Sequence, residues 1–121
     1  MEKDVLETQI GGDHYKKMKI QPIELITKLK LNFIQGNVIK YISRDKNNII
    51  EDLNKAIHYC ELGIKLDKIE TKLTYEQKLT YWKYVEEYVI QNNMSKINEL
   101  IIFHILKKEY LEAINDIKKQ I

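Results

Sequence analysis

The sequence predicts an all-α protein, a compact bundle of about five helices. Apolar residues recur at three- and four-residue steps in several stretches, which is the helical period. Helix-start signals precede those stretches, and the only proline, Pro22, fits a first helical turn. Hydrophobic residues make up 44% and charged residues 31% of 121 residues, as expected for one globular domain over 1–121.

The first two helices follow Pro22. The first has Glu24 in its first turn, where the helix dipole favours an acid. Its apolar face carries Ile23, Ile26 and Leu29, with Leu25 beside it. The second runs from Leu31 to Arg44, and its core-facing residues are Ile34, Val38, Ile39 and Ile42. Gly36 costs about 1 kcal/mol relative to alanine within a helix, which indicates a bend or a close backbone approach.

The third helix, from Ile50 to about Lys68, follows a short polar link, so it and the second helix are expected to be antiparallel neighbours. Its apolar stripe is predicted to be Ile50, Leu53, Ile57, Cys60 and Ile64. Each of the two helices also has a polar stripe at helical spacing. These stripes are Asn37, Lys40, Tyr41 and Arg44, and Asp52, Lys55, Ala56 and Tyr59. We expect them to meet over a cleft.

The paired stripes contain residue types that hold a phosphate-bearing ligand. Arg44 can grip oxyanions bidentately, while Lys40 and Lys55 act as compact point charges. Asn37 can hydrogen-bond a base or a ribose, and Tyr41 or Tyr59 can stack on a base. The same spacing also fits a solvated helix face with ion pairs worth roughly 0–1 kcal/mol each. Both interpretations remain open from the spacing.

A loop containing glycine, histidine and lysine precedes the first helix. Gly11 and Gly12 break regular structure and permit close approach of the backbone to an anion. We therefore add His14, Tyr15 and Lys16 to the ligand-binding candidates, although His14 also fits a loop anchor and Tyr15 a packing residue. The loop lacks the complete pattern of a P-loop.

A C-terminal helical hairpin is predicted over residues 72–121, for packing or assembly. Thr74 and Gln77 resemble a capping box that starts a fourth helix, which ends near Gln91 before two asparagines. Its inward residues are predicted to be Leu79, Trp82, Val85 and Val89. Tyr75, Tyr81, Tyr84 and Tyr88 add an aromatic face, which favours packing over base stacking. Ser95 caps a fifth helix, from Lys96 to about Lys119.

The fifth helix carries a narrow apolar seam. The seam consists of Phe103, Leu106, Tyr110, Ile114, Ile117 and Ile121. It fits packing on another helix of the chain or of another subunit, and we expect a homo-oligomer. His104 is interpreted as a satisfied packing histidine, His58 as exposed and Cys60 as a buried thiol.

Composition excludes several classes of function. A net charge of +2 argues against a general nucleic-acid-binding protein. A single cysteine cannot form an intrachain disulfide and favours a reducing cytoplasm. The absence of a long apolar run predicts neither a membrane span nor a signal peptide. Spacings typical of a metal site are also missing, so we expect no metal ligands.

The quoted stripes belong to a longer pattern. It consists of Gly11-Gly12-Asp13-His14-Tyr15, Gln21-Pro22-Ile23-Glu24, the run from Phe33 to Arg44, and the run from Glu51 to Tyr59. In this order the motifs resemble the phage family of small SaV-like proteins, also labelled phage nucleotide-kinase-like, over about residues 9–66. The resemblance implies a small helical phage protein with a family-like nucleotide-binding core, whose ligand is a nucleotide.

Two functions and one blander alternative follow. We expect a binding protein without cofactors that sequesters a nucleotide, such as a nucleotide-derived host defence signal, in the cytoplasm of an infected bacterium. The family label implies instead a P-loop-free nucleoside monophosphate kinase. That enzyme requires Mg²⁺ and ATP, with Asp52 holding the metal and the three cations stabilising the phosphoryl group. The third possibility is a helical adaptor that inhibits a host protein. The sequence does not decide whether the ligand is turned over.

Overall fold

The computed structural model describes residues 5–8, 15, 18–44, 49–69 and 72–121. Within these ranges the chain forms six α-helices, a 3-10 turn at Val5–Glu7 and no strand, which confirms the all-α prediction. The helices are α1 (Pro22–Lys28), α2 (Phe33–Ile42), α3 (Ile49–Leu66), α4 (Tyr75–Gln91), α5 (Lys96–Leu106) and α6 (Tyr110–Lys118). None of them is both long and apolar enough to cross a membrane.

The predicted fifth helix is two helices, so the expected hairpin over 72–121 contains three. Lys108, with a φ of 60°, has a left-handed backbone, and the Glu109 amide donates to the carbonyl of His104. This pattern is the Schellman helix end, which usually places glycine at the left-handed position. A lysine takes that position here, and the sequence therefore gave no sign of the break.

His104 helps to fold α6 back onto α5. Its Nδ1 lies 3.0 Å from a carboxylate oxygen of Glu109, and its Nε2 lies 3.4 Å from Asp116. The hydrogen bond from His104 lowers the pKa of Glu109. His104 is therefore a packing histidine with polar partners on both ring nitrogens, as the sequence indicated.

The helix starts agree well with the capping signals. Pro22 begins α1, Thr74 and Gln77 form the predicted capping box of α4, and Ser95 accepts a hydrogen bond from the amide of Asn98 at the start of α5. A capping box that the sequence analysis missed, formed by Asn32 with Gln35, starts α2 two residues later than expected.

The end of α1 provides a direct test of backbone strain. Lys30 has a φ of 54° at the left-handed position of a Schellman end. We expect Lys30→Gly to stabilise the fold by about 0.5–1 kcal/mol, because glycine adopts this conformation without the penalty of a Cβ. Lys28→Gly is the matched control within helical backbone, and it should destabilise by about 0.5–1 kcal/mol. Urea unfolding of both variants measures the difference, and destabilisation by Lys30→Gly contradicts it.

The core is built from α2, α3, α5 and α6, with α4 packed across one side. Fully buried side chains from these helices include Val38, Ile39, Ala56, Cys60, Val85, Tyr88, Ile101, Ile102, Ile105, Ala113 and Ile117. The predicted core face of α2 is confirmed, with Ile34 only partly buried. Cys60 is buried, as expected, and burial raises the pKa of its thiol to about 12. His58 is exposed, which was also expected.

Two expectations about the packing faces are wrong. On α3, Ile50 and Ile64 are exposed, whereas Asp52 and Ala56 of the predicted polar stripe are buried. On α4, Leu79 and Trp82 are 54% and 56% exposed, because only the side bearing Val85, Tyr88 and Val89 contacts the core. Ile121 of the predicted seam is exposed, Phe103 is partly buried, and the remainder is buried within the chain. Most of the seam therefore packs within the chain, which is one of the two alternatives that the sequence left open.

Two glycines mark close approaches between helices. A Cβ on Gly36 in α2 would lie 3.2 Å from the side chain of Ile26 in α1. A Cβ on Gly63 in α3 would lie 2.6 Å from the ring of Tyr110 in α6. The sequence indicated the close approach at Gly36 and gave no comparable indication at Gly63.

Candidate functional site

The two polar stripes meet where α2 and α3 pack against each other. Three cations surround the ring of Tyr41: Lys40 Nζ lies 4.6 Å, Arg44 Cζ 5.1 Å and Lys55 Nζ 5.4 Å from its centroid. We call these four residues, together with Asp52 and Tyr59, the cation–aromatic cluster. Such contacts are worth about 0.5–1 kcal/mol each at exposed sites.

Arg44 is the most enclosed cation of the cluster. Its guanidinium donates to a carboxylate oxygen of Asp52 at 3.1 Å, and the Asp52 side chain is only 9% exposed. Burial by itself lowers the pKa of Arg44, but Tyr15 and the hydrogen bond to Asp52 raise it above its ordinary value. The buried Nε of Arg44 has no hydrogen-bond partner among the described residues. Arg44 is thus a positive charge held beside Asp52, and its buried Nε donor is not used by that pair.

Tyr15, one of the candidates from the N-terminal segment, lies beside this cluster. Its ring centroid lies 5.8 Å from Arg44 Cζ, and burial raises the pKa of Tyr15 to about 12, although Arg44 opposes the shift. Tyr15 is therefore a neutral phenol at physiological pH. The other loop candidates, His14 and Lys16, lie outside the described residues, as do the two glycines of that loop.

Aromatic rings line the surface where α2 and α3 pack against each other. Tyr41 and Tyr59 are stacked with centroids 5.9 Å apart, and Phe33 approaches Tyr59 edge-on at 6.0 Å. Since these two tyrosines already stack on each other, a base has fewer free faces there than the sequence indicated. Phe33 is 75% exposed, and sequence reasoning did not select it. Its place at the start of α2, one turn before Asn37, could have indicated it.

The remaining polar residues differ in how far they are engaged. The Asn37 amide donates to the carbonyl of Phe33 at 2.8 Å, so its oxygen and its second N–H are left for a ligand. Lys55 forms an ion pair with Glu51 at 3.4 Å on the surface. Lys40 forms no ion pair within the described ranges of the chain. When Arg44 and Asp52 are counted as well, the site contains three cations and two carboxylates. Its net positive charge therefore attracts anions.

A cleft of about 610 Å³ lies beside the cluster, and Tyr41 and Arg44 form part of its wall. This volume is in the range of small-molecule sites. Five predicted residues of the two stripes do not line it: Asn37, Lys40, Asp52, Lys55 and Tyr59. The predicted ligand-binding residues therefore divide between the cleft wall and the surface where α2 and α3 pack together.

The opposite wall of the cleft comes from the C-terminal half of the chain. Apart from Met94 it is polar, and its polar side chains are Gln91, Asn92, Asn93, Ser95, Asn98 and Gln120. Asn92 is committed to the fold, because its amide group bonds to both backbone groups of Ile20. The sequence analysis missed this wall, although the amide-rich run at the end of α4 was a usable signal. The cleft thus depends on residues separated by more than half of the chain.

Candidate metal ligands are not gathered at this site in the described part of the chain. Among the described residues, no group of three or more histidine, cysteine or acidic side chains is positioned to hold a metal ion. Asp52, the metal ligand required by the kinase hypothesis, directs its carboxylate to Arg44. Because the Asp52 carboxylate is buried beside Arg44, exchanging that cation for a metal ion would cost free energy.

The fold and the site define a helical protein in which a cluster of cations and tyrosines adjoins a cleft. Residues 11–61 match the model of a family described as a protein of unknown function (DUF3310). That segment covers most of the region resembling SaV-like proteins and includes α1, α2 and the first part of α3, but not the opposite wall of the cleft. No curated protein and no solved structure gives a significant match.

Proposed function

We propose that this protein binds a phosphate-bearing nucleotide at the cation–aromatic cluster and the adjoining cleft. One observation carries the proposal: three cations converge on the Tyr41 ring at the edge of a cleft of about 610 Å³. Cations supply contacts to phosphate, and the aromatic and amide groups nearby suit a base and a sugar.

We propose further that the nucleotide is sequestered without turnover. Phosphoryl transfer requires magnesium and a free carboxylate to place it, whereas Asp52 is buried and paired with Arg44. This arrangement supports holding a ligand more than the kinase alternative. The resemblance implies a phage protein with a nucleotide ligand, and we propose that this ligand is a nucleotide-derived defence signal in the host cytoplasm. Self-association of the chain belongs to the same proposal, and an exposed surface of α4 supports it.

Removing cations from the cluster should weaken binding. We expect Arg44→Ala to weaken nucleotide binding by about 1–3 kcal/mol, since a charge-assisted contact is lost. Because this change also leaves Asp52 buried without its partner, Lys40→Ala is a second variant that spares the ion pair and should weaken binding by a smaller amount. Lys65→Ala, an exposed lysine elsewhere on α3, is the matched control. Calorimetry measures the affinities, and unchanged affinity in both cluster variants contradicts the assignment.

The ligand class and the question of turnover need one further experiment. The protein is incubated with a panel of mono-, tri- and cyclic nucleotides, with ATP and Mg²⁺, and the products are separated by chromatography. Bound ligand is then recovered by heating. Unchanged nucleotide released on denaturation supports sequestration, whereas a phosphorylated product establishes the kinase alternative. If no nucleotide is bound or changed, the adaptor alternative is favoured and the proposal fails.

A further inference from the structure

The outer face of α4 is an apolar surface that the chain itself leaves uncovered. Tyr75, Leu79 and Trp82 lie at four- and three-residue steps on this face and are 75%, 54% and 56% exposed. Leu100 of α5 is also exposed, and Phe103 of α5 contacts Trp82 with ring centroids 5.0 Å apart. We call this surface the α4 patch. Singly exposed apolar residues are common, but a contiguous group with a tryptophan is typical of an interaction site.

Several charged side chains lie along the patch, including Glu86, which accepts a hydrogen bond from the indole of Trp82, and Glu87. Two charges of opposite sign border it on one side. Glu76 and Lys83 are seven residues apart, which places them on the same flank of the helix, two turns from each other. Neither forms an ion pair within the described part of the chain, and both are exposed. Their separation is too large for them to pair with each other along the helix, where partners lie three or four residues apart.

This charge pattern distinguishes between possible occupants. When two copies of one helix pack antiparallel about a two-fold axis, each flank meets the same flank of the other copy. An axis beside Leu79 then places Glu76 of each copy opposite Lys83 of the other, so two ion pairs form at once. In a parallel two-fold arrangement, this flank of each copy instead meets the opposite flank of the other, so Glu76 and Lys83 cannot pair with each other.

We propose that the α4 patch is the interface of a two-fold symmetric, antiparallel dimer of this chain. Tyr75, Leu79 and Trp82 form its apolar centre, and the two reciprocal pairs of Glu76 with Lys83 fix its register. A helix-on-helix interface of this length is small, and the dimer is therefore dissociable. The proposal rests on self-association of the chain and not on nucleotide binding.

Sedimentation of the full-length protein over a wide concentration series tests the interface. The wild type should show a monomer–dimer equilibrium, and Leu79→Glu should raise the dimer Kd roughly tenfold or more, because it places an unpaired charge at the centre. Leu111→Glu, the same change at an exposed leucine of α6, is the matched control and should leave the Kd unchanged. Circular dichroism checks that each variant is folded.

Charge reversal and crosslinking test the symmetry. Glu76→Lys and Lys83→Glu should each weaken the dimer, and the double variant should restore it. A mixture of Glu76→Cys and Lys83→Cys proteins should form a mixed disulfide faster than either protein forms its own, while Cys60 is buried and unreactive. A wild-type monomer at every concentration overturns both the dimer and self-association. A dimer insensitive to Leu79→Glu overturns only the α4 interface, and failure of both the reversal and the mixed disulfide overturns the antiparallel register.

Discussion

Gly63→Ala is expected to cost about 2–3 kcal/mol of the free energy of unfolding, because the added methyl group has no room between α3 and α6. Its carbon would lie 2.6 Å from two atoms of the Tyr110 ring, well inside the 3.5–4.0 Å of a favourable carbon contact. The ring cannot move aside easily: it is buried, and its hydroxyl donates to Asp67 at 2.7 Å. The gain in helix propensity, about 1 kcal/mol, is too small to compensate.

Gly36→Ala provides the matched control for this prediction. Its added carbon would lie 3.2 Å from Cγ2 of Ile26, a partly buried side chain that can shift slightly. We therefore expect a change within about 1 kcal/mol of zero, since the tight contact and the gain in helix propensity oppose each other. Urea unfolding measures both variants. Equal effects at the two positions contradict the proposed difference in packing.

A second variant separates a steric clash from a general effect of alanine at position 63. In a Tyr110→Ala background the ring is absent, and Gly63→Ala should then lose most of its cost. The coupling free energy from this double-mutant cycle should be of the same size as the single-mutant effect. Simple additivity of the two substitutions would show that the ring is not the obstacle.

Asp67→Asn is the second change with a large expected effect. Asp67 accepts hydrogen bonds from Tyr110 and Asn32 and from the ammonium of Lys108, at 2.7, 2.9 and 2.9 Å. It thereby ties the end of α3 to the start of α2 and to the turn before α6. Removing the charge leaves Lys108 without its partner in a setting where both side chains are largely buried. We expect a loss of about 2–3 kcal/mol at neutral pH.

The pH dependence of stability gives an independent check on Asp67. Burial raises its pKa, but the hydrogen bonds from Tyr110, Lys108 and Asn32 outweigh burial and lower the pKa below its ordinary value. A carboxylate with a lowered folded-state pKa stabilises the fold fully above its unfolded-state pKa. That contribution is lost as the pH falls through the folded-state value. The wild type should therefore lose stability towards acid more steeply than Asp67→Asn.

The comparison needs a carboxylate without such partners. Glu112 is exposed on α6 and forms no ion pair within the described residues, and Glu112→Gln should change neither the stability nor its pH profile appreciably. Denaturant unfolding at a series of pH values from neutral to strongly acidic gives both curves. A gap between wild type and Asp67→Asn that stays constant down to the lowest pH would mean that the charge on Asp67 does not stabilise the fold.

Local signals in the sequence located the helices well. The capping pairs and Pro22 depend on hydrogen bonds and dihedral angles within a few residues, so residue type alone indicates them. The break between α5 and α6 escaped notice because Lys108 takes a left-handed position that normally selects glycine. The sequence analysis also missed the burial of Asp52. That burial is tolerable only because Arg44, which follows α2, pairs with the carboxylate.

The sequence by itself determined the helical class, the core face of α2, and the meeting of Lys40, Tyr41 and Arg44 with Lys55 at one seam, because helical periodicity and a short link leave few arrangements. Only the tertiary structure decided which faces of α3 and α4 are buried and where the cleft lies. Those features depend on contacts between distant segments: Tyr110 against Gly63, Asn92 of the turn after α4 against Ile20, and α6 folded back on α5. The free energy of such contacts comes from shape and partner geometry, which residue spacing along the chain does not encode.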